Sequence, residues 1–188
     1  AHRTDIKAFS RQRVLSFPVL AAFLLCAWKG GLQTLLDELF ESLTGQAGRV
    51  ATKSAVTQAR RKLKASAFEA LNGRLLASLD EHWPESRWRG LRLVAADATT
   101  LRLPNNPQTQ TEFGIQADTT GQPFVMARAL GLYSTASGRM LKAALAGYKT
   151  AERELLLPLL PSLNQDDLLI LDRGFPAVWL FALLQQQG

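Results

Sequence analysis

The chain has 188 residues, of which 47% are hydrophobic and 20% are charged, and its formal net charge at pH 7 is +6. This composition excludes a disordered chain and suits one large or two small globular domains with hydrophobic cores. The single cysteine, Cys26, excludes an internal disulfide framework and fits a reducing compartment, and the two histidines, His2 and His82, are too few for a Cys/His zinc site.

The first half of the sequence predicts a helical domain at residues 1–88. The predicted helices span Pro18–Trp28, Leu32–Leu43, Lys53–Lys64 and Ser66–Glu81. The apolar stretch at residues 14–28 has some features of a signal peptide, but its 15 residues are fewer than the ~20 that cross a bilayer. A buried core helix explains this stretch better, and we expect no membrane association.

Positive charge is concentrated in this first half. Residues 1–90 contain 14 Lys and Arg against 8 Asp and Glu, whereas residues 91–188 contain 8 of each class. Residues 49–64 contain no acid, and their cations are Arg49, Lys53, Arg60, Arg61, Lys62 and Lys64. A basic run is usually a solvated helix face, but an unbalanced run repels itself unless a polyanion is near.

From Leu91 onward, short apolar runs alternate with turn residues. The first run predicts a strand that ends in Asp97 and continues as "TTLRL", and an irregular loop, "PNNPQTQTEFG", follows it. The remaining pattern predicts a hairpin of "PFVMARALGLYS" and "GRMLKAALAGY", a helix that begins at Thr150, a strand "DLLILD" and a helix that begins near Pro176. This order predicts a mixed sheet with packed helices over residues 89–188.

Two aspartates follow the two most apolar strands. "LVAAD" and "LLILD" predict strands that are buried on both faces and that deliver Asp97 and Asp172 as they leave the core. One interpretation is that each aspartate only caps a turn. If the strands are neighbours, however, the carboxylates converge, and a divalent metal such as Mg²⁺, which prefers oxygen ligands, removes their repulsion.

The sequence around both aspartates resembles a known family. "VAADATTLRLPNNPQTQTEFG", "GYKTAERELLLPLLP" and "LLILDRGF" are similar to the catalytic core of DDE transposases of bacterial insertion sequences, in the branch called the IS-four family. "TKSAVTQARRKLKASAFEALN" is similar to the helical region that precedes that core. The resemblance implies an α/β fold, in which a helical, basic, DNA-binding domain precedes a partial ribonuclease H-like mixed sheet with flanking helices.

The resemblance also implies the chemistry. Asp97 and Asp172 would be the first two catalytic carboxylates and would hold Mg²⁺ or Mn²⁺ for DNA strand cleavage and strand transfer. The family's third carboxylate, a Glu in a Tyr-Arg-Glu-Lys-type motif, has no counterpart in this sequence, and Glu152 and Glu154 fit better as first-turn acids of a helix. We therefore expect a fragment that binds DNA weakly and does not nick it.

Further expectations concern DNA and location. Lys53, Arg60, Arg61, Lys62 and Lys64 are expected to contact double-stranded DNA at the transposon ends or target, and the candidates for additional phosphate contacts are Thr99, Arg102 and Arg173. Arg173 would either orient a phosphate or pair with Asp172. A bacterial cytoplasmic location and a homodimer of the full-length form complete these expectations.

Two other functions compete with the transposase interpretation. The absence of the third carboxylate favours a DNA-binding protein without catalysis that derives from a truncated transposase. A hydrolase of small phosphate esters with an Asp nucleophile fits less well, because "ADATT" lacks the second Asp that such enzymes place two residues later.

Overall fold

The computed structural model describes residues 2–10, 13–26, 30–45, 48 and 50–187. The chain divides into two compact units, Ala1–Arg74 and Leu75–Gly188. The division falls inside a helix, Ser66–His82, which the sequence predicts as the last helix of the first domain. The assignment of one function to each part of the chain stays a prediction.

The first unit is helical, as predicted. It contains α1 (Phe17–Leu25), α2 (Leu32–Thr44), α3 (Lys53–Arg60) and the beginning of α4 (Ser66–His82). The hydroxyl of Thr52 accepts a hydrogen bond from the backbone N–H of Ala55 at 3.2 Å, so Thr52 caps α3 as predicted. The first three helices pack on one hydrophobic core, whose buried side chains are Leu20, Phe23, Leu35, Leu36, Leu39, Phe40, Ala51 and Val56.

A strained residue precedes these helices. Phe9 has a φ of 57°, in the left-handed region, where a non-glycine residue is less stable by about 1–2 kcal/mol. Its ring packs against the core and meets Phe17 edge-to-face, with 5.6 Å between the ring centroids. Packing of this ring offsets the backbone strain and holds the N-terminal segment against the helices.

The second unit contains a five-stranded mixed sheet. Its strands are β1 (Arg92–Leu103), β2 (Gln116–Ala117), β3 (Pro123–Ser134), β4 (Met140–Gly147) and β5 (Asp167–Leu171). The order across the sheet is β2-β3-β1-β5, and β4 also pairs with β3. β1 and β5 are parallel and the other pairs are antiparallel, which confirms the predicted mixed α/β architecture and the predicted β3–β4 hairpin.

Two connecting segments differ from the sequence prediction. The predicted irregular loop contains a helix, α5 (Pro107–Phe113), because Asn106 and Thr109 cap it reciprocally and Pro107 opens it. The helix predicted from Thr150 is instead a short α6 (Glu152–Leu156) followed by a 3₁₀ turn (Leu157–Ser162). Two prolines in that turn, Pro158 and Pro161, lack the N–H groups that a continuing α-helix needs.

The helices α6 and α7 (Val178–Gln187) and the 3₁₀ turn cover one face of the sheet. The core that they share with β1 and β3 includes Val94, Ala96, Leu130, Leu132, Leu155, Leu156, Leu159, Leu160, Phe175 and Leu180. The prediction that β5 is buried on both faces is wrong, because Leu168 and Ile170 are 39% and 41% exposed. They alternate with Leu169 and Leu171, which pack on the core, so β5 is covered on one face.

A buried ion pair joins the first residues of the parallel strands. Arg92 donates to both carboxylate oxygens of Asp167, from Nε at 2.6 Å and from a terminal nitrogen at 2.8 Å. The Asp167 side chain is 1% exposed and that of Arg92 is 15% exposed, and the hydrogen bond that Arg92 donates to Asp167 raises the pKa of Arg92. The two residues are register partners, so the pair fixes the alignment of β1 against β5.

A second cluster ties the β3–β4 hairpin to the segment after α4. Arg139 donates to the carboxylates of Asp80 and Glu85 and, at 2.7 Å, to the backbone carbonyl of Trp83. Ser134, which is fully buried, donates its hydroxyl proton to Glu85. This cluster gives each of these buried polar groups a partner.

We expect Arg92→Met to lower the free energy of unfolding by about 3 kcal/mol, because it leaves a buried carboxylate without its counter-charge. Urea unfolding measures this loss. Arg87→Met is the matched control, since Arg87 pairs with Asp166 where the two side chains are 45% and 48% exposed, and exposed pairs contribute about 0–1 kcal/mol. Equal losses in the two variants would contradict the importance of burial.

Candidate functional site at the carboxyl end of the parallel strands

The two predicted aspartates lie at the same edge of the sheet. β1 and β5 are neighbours, as predicted, and their parallel pairing runs from Arg92 opposite Asp167 to Ala96 opposite Leu171. Asp97 is the next residue of β1, and Asp172 is the residue that follows β5. Register therefore brings these two positions side by side where the parallel pairing stops.

Asp97 lies inside β1 and not at its end, because the predicted continuation "TTLRL" belongs to the same strand. β1 continues to Leu103 because β3 supplies an antiparallel partner along this part of the strand. Ala96 packs into the core, so strand alternation places Asp97 on the opposite face, where its side chain is exposed. Its register partner in β3 is Gly131, and the Met140 side chain occupies the space over this glycine, with its Sδ 3.0 Å from where a Cβ would stand.

Each carboxylate uses one oxygen locally. Oδ1 of Asp97 accepts a hydrogen bond from the backbone N–H of Ala98 at 2.8 Å, and Oδ1 of Asp172 accepts one from that of Gly174 at 2.8 Å. The turn-capping interpretation of Asp172 is therefore correct as far as this oxygen is concerned. Both aspartates are exposed, and in the described part of the chain neither forms an ion pair.

The turn that carries Asp172 is held by contacts that the sequence does not reveal. Arg153 on α6 donates to the backbone carbonyl of Gly174 at 2.8 Å. Phe175, the next residue, is fully buried in the core beneath the sheet. A Cβ at Gly174 would lie 3.1 Å from Oδ1 of Asp172, so glycine allows the close approach of the carboxylate. These contacts restrict the position of Asp172.

The other predicted residues of this region lie in different surroundings. Thr99 is exposed and shares the face of Asp97 by strand alternation. Arg102 falls on the opposite face, and its guanidinium lies 5.6 Å from the centre of the Phe124 ring. Arg173 is exposed beside Asp172, and across the described residues it forms no ion pair with that carboxylate.

The basic run in the first unit is exposed at Lys53, Arg60, Arg61, Lys62 and Lys64, and Arg49 lies outside the described residues. The prediction of a helix to Lys64 is wrong, because α3 ends at Arg60. The backbone after it pairs instead with the N-terminal segment, through Thr4 N–H to Lys62 O at 3.0 Å and Lys64 N–H to His2 O at 3.1 Å. Arg61 and Lys62 therefore lie in the turn that ends α3, and Lys64 lies in the segment after that turn.

Within the described residues, no helix is both long and apolar enough to cross a bilayer.

Comparison with known proteins supports the resemblance seen in the sequence. No protein-family model matches the chain. The chain is 28% identical over 151 residues to "Putative transposase InsZ" of Escherichia coli (strain K12), covering 78% of this chain and 50% of that protein. It is 27% identical over 154 residues to "Transposase InsG for insertion sequence element IS4" of the same strain, covering 81% of this chain and 34% of that protein.

These matches confirm the resemblance to insertion-sequence transposases. The matched part of this chain corresponds to half the length of InsZ and about a third of that of InsG. The two named proteins are similar to this chain along most of its length, including both of its units.

We expect Asp172→Ala to lower the free energy of unfolding by about 1 kcal/mol, because the N–H of Gly174 loses its acceptor. Asp172→Asn keeps an oxygen at the Oδ1 position and should cost less. Urea unfolding of the two variants separates the hydrogen bond from the charge. An equal loss for Asn and Ala would show that this hydrogen bond does not hold the turn.

Proposed function

We propose that the chain acts on DNA in transposition, as part of a DDE transposase with a ribonuclease H-like core, and that Asp97 and Asp172 are its first two catalytic carboxylates. The observation that carries this proposal is the parallel register of β1 and β5, which ends one residue before each aspartate. The similarity to two transposases supports the same function independently.

The two aspartates fit a magnesium or manganese ion by their chemistry. Mg²⁺ is usually held by one or two carboxylates, with water and substrate phosphate completing its coordination. Among the described residues, Oδ1 of each aspartate takes a backbone hydrogen bond and Oδ2 takes none, which leaves Oδ2 available on an exposed face. Within the described residues no group of three or more Asp, Glu, His or Cys side chains is arranged for a metal, so the proposal rests on these two ligands.

The metal, when bound, supplies activation of the attacking water or 3′-hydroxyl and neutralisation of the leaving oxygen. The protein's own residues orient the carboxylates. Gly174 donates its N–H to the carboxylate of Asp172, and Arg153 donates a hydrogen bond to the carbonyl of the same glycine. These two hydrogen bonds fix the position of the Asp172 carboxylate at the end of β5. Thr99 and Arg173 extend from the same edge and are the nearest proposed contacts for a phosphate.

Double-stranded DNA is the proposed partner, and its ends and target are the proposed substrates. The cations Lys53, Arg60, Arg61, Lys62 and Lys64 are exposed in a segment without acids, which suits phosphate contacts. The guanidinium of Arg102 lies over Phe124, on the face of β1 opposite to Asp97. Arg102 therefore belongs to the proposed DNA contacts only if the DNA also passes along that face. Homodimerisation of a longer form remains part of the proposal.

We expect Asp97→Asn and Asp172→Asn each to weaken binding of Mn²⁺ by at least tenfold, since even residues that only orient a ligand contribute 10- to 100-fold. Both variants keep an oxygen for the local hydrogen bond, so the fold should be retained. Calorimetric titration with Mn²⁺ measures the affinity.

Asp118→Asn is the matched control for the metal titration, because Asp118 is an exposed carboxylate that Thr120 and Gln122 hold in a different turn. It should bind Mn²⁺ as the unchanged protein does. If Asp97→Asn and Asp172→Asn also bind Mn²⁺ as the unchanged protein does, the two aspartates are not metal ligands and have only the turn-capping role.

We expect replacement of Arg60, Arg61 and Lys62 by Gln to weaken binding to any duplex, because phosphate contacts do not depend on base sequence. Each lost contact should remove about 0.9 from the slope of log affinity against log salt. Fluorescence anisotropy over a salt series measures this slope. Arg74→Gln, an exposed change outside the run, is the control, and an unchanged slope in the triple variant would identify the run as a solvated face.

A further inference from the structure

A cavity of about 760 Å³ opens in the first unit, between the N-terminal segment and one face of α3. On the α3 side it is lined by Thr52, the N-cap, by Ala55 and Ala59, which lie four residues apart on one face of α3, and by Lys62 in the turn after the helix. On the other side lie Lys7, Phe9, Ser10 and residues 13–15 of the N-terminal segment. The volume is in the range of pockets that enclose small organic molecules, about 300–1,000 Å³.

The polar lining of this cavity is cationic. Lys7, Arg13 and Lys62 contribute to its wall, and no Asp or Glu is among its lining residues within the part of the chain that the structure describes. The same three side chains form no ion pair with any described carboxylate. Three uncompensated positive charges around one concave site attract an anion.

The rest of the lining is mostly apolar and includes an aromatic ring, and its neutral polar residues are Ser10, Thr52 and Gln58. Phe9, Val14 and Leu15 from the N-terminal segment and Ala55 and Ala59 from α3 contribute to it. Phe9 is held there in the left-handed backbone conformation, with its ring fixed edge-to-face against Phe17. A ligand that suits the cavity therefore combines a flat apolar part with a negatively charged group.

We propose that this cavity binds one unpaired nucleotide of a DNA strand, with its base against the apolar wall and its phosphate at Lys7, Arg13 and Lys62. This inference rests on the proposed function and adds to it a site for a strand end. An unpaired nucleotide suits the cavity better than a base inside a duplex, because both faces of such a base are covered by its neighbours.

Continuity with the basic run favours DNA over a free nucleotide. Lys62 belongs both to the lining of the cavity and to the exposed cations that follow α3. A strand whose phosphates lie along Arg60 and Arg61 therefore passes the mouth of the cavity at Lys62. The outer cations hold the backbone, and the cavity accepts a base that leaves the stack.

The test measures the affinity of the full chain for two duplexes of the same sequence. One duplex is blunt, and the other has a single 3′-overhanging 2-aminopurine nucleotide. The overhanging duplex should bind at least about fivefold more tightly, the lower end of the contribution of one stacked base. The fluorescence of 2-aminopurine should change on binding. A third duplex carries an abasic overhang, which keeps the phosphate but lacks the base, and should bind less tightly than the complete overhang.

Ala55→Phe fills the cavity without a change of charge and should abolish both the preference and the fluorescence change, while binding of the blunt duplex is retained. Thr57→Phe places the same ring on α3 at an exposed position outside the cavity lining and should keep the preference. Lys7→Gln and Arg13→Gln introduce no larger side chain into the cavity. Each should lower the preference for the overhanging duplex and reduce the slope of log preference against log salt by about 0.7.

Several outcomes would overturn the inference. Equal binding of blunt and overhanging duplexes by the unchanged chain would do so and would leave the proposed DNA binding intact. Retention of the preference in Ala55→Phe, or an abasic overhang that binds as tightly as the complete one, would exclude insertion of the base. A site that binds free deoxyadenosine monophosphate but gives no overhang preference would assign the cavity to a free nucleotide. Failure to bind either duplex would overturn the proposed DNA function as well.

Discussion

The ion pair between Arg92 and Asp167 fixes the register on which the second unit depends. Both residues begin a parallel strand, and their bidentate contact in a nearly dry site aligns the four residue pairs that follow. A shift by one residue would turn Val94 and Ala96 out of the core, because side chains alternate between the faces of a strand. The same shift would separate Asp97 from Asp172. The core and the proposed metal site thus share one constraint.

The site combines structural and chemical roles in the same atoms. One oxygen of Asp172 closes the turn after β5, and the turn is further held by the hydrogen bond from Arg153 and by the burial of Phe175 in the core. A carboxylate held in this manner loses little conformational freedom when it meets a ligand, which favours binding. Its second oxygen provides the ligand itself in the proposed function.

In the first unit, the packing of the hydrophobic core determines where the positive charges lie. The buried side chains of α1, α2 and α3 meet on one side, so the cations of residues 53–64 remain exposed on the other side of this segment. The N-terminal segment pairs with the backbone after α3 and creates the cationic cavity there. Exposed cations without partners raise the energy of the free protein modestly through mutual repulsion, and a bound polyanion removes that repulsion.

The sequence by itself determined the elements with strong local signals. Thr52 marked the start of α3, the alternating apolar runs marked the strands of the mixed sheet, and the distribution of charge marked the first half as basic. Local capping also explains α5, where Asn106 and Thr109 were a readable signal that the prediction of a loop overlooked. Such features depend on neighbouring residues alone, so one sequence contains them fully.

Only the tertiary structure decided the features that depend on residues distant in the chain. It ended α3 at Arg60, because the following backbone pairs with the N-terminal segment, and it left Leu168 and Ile170 exposed, because the described helices α6 and α7 cover the other face of β5. It also extended β1 past Asp97 along β3 and selected Arg153 as the residue that holds the turn of Asp172. Hydrophobic periodicity encodes which side of an element is buried, but the partner that covers it is chosen by the packing of the whole unit.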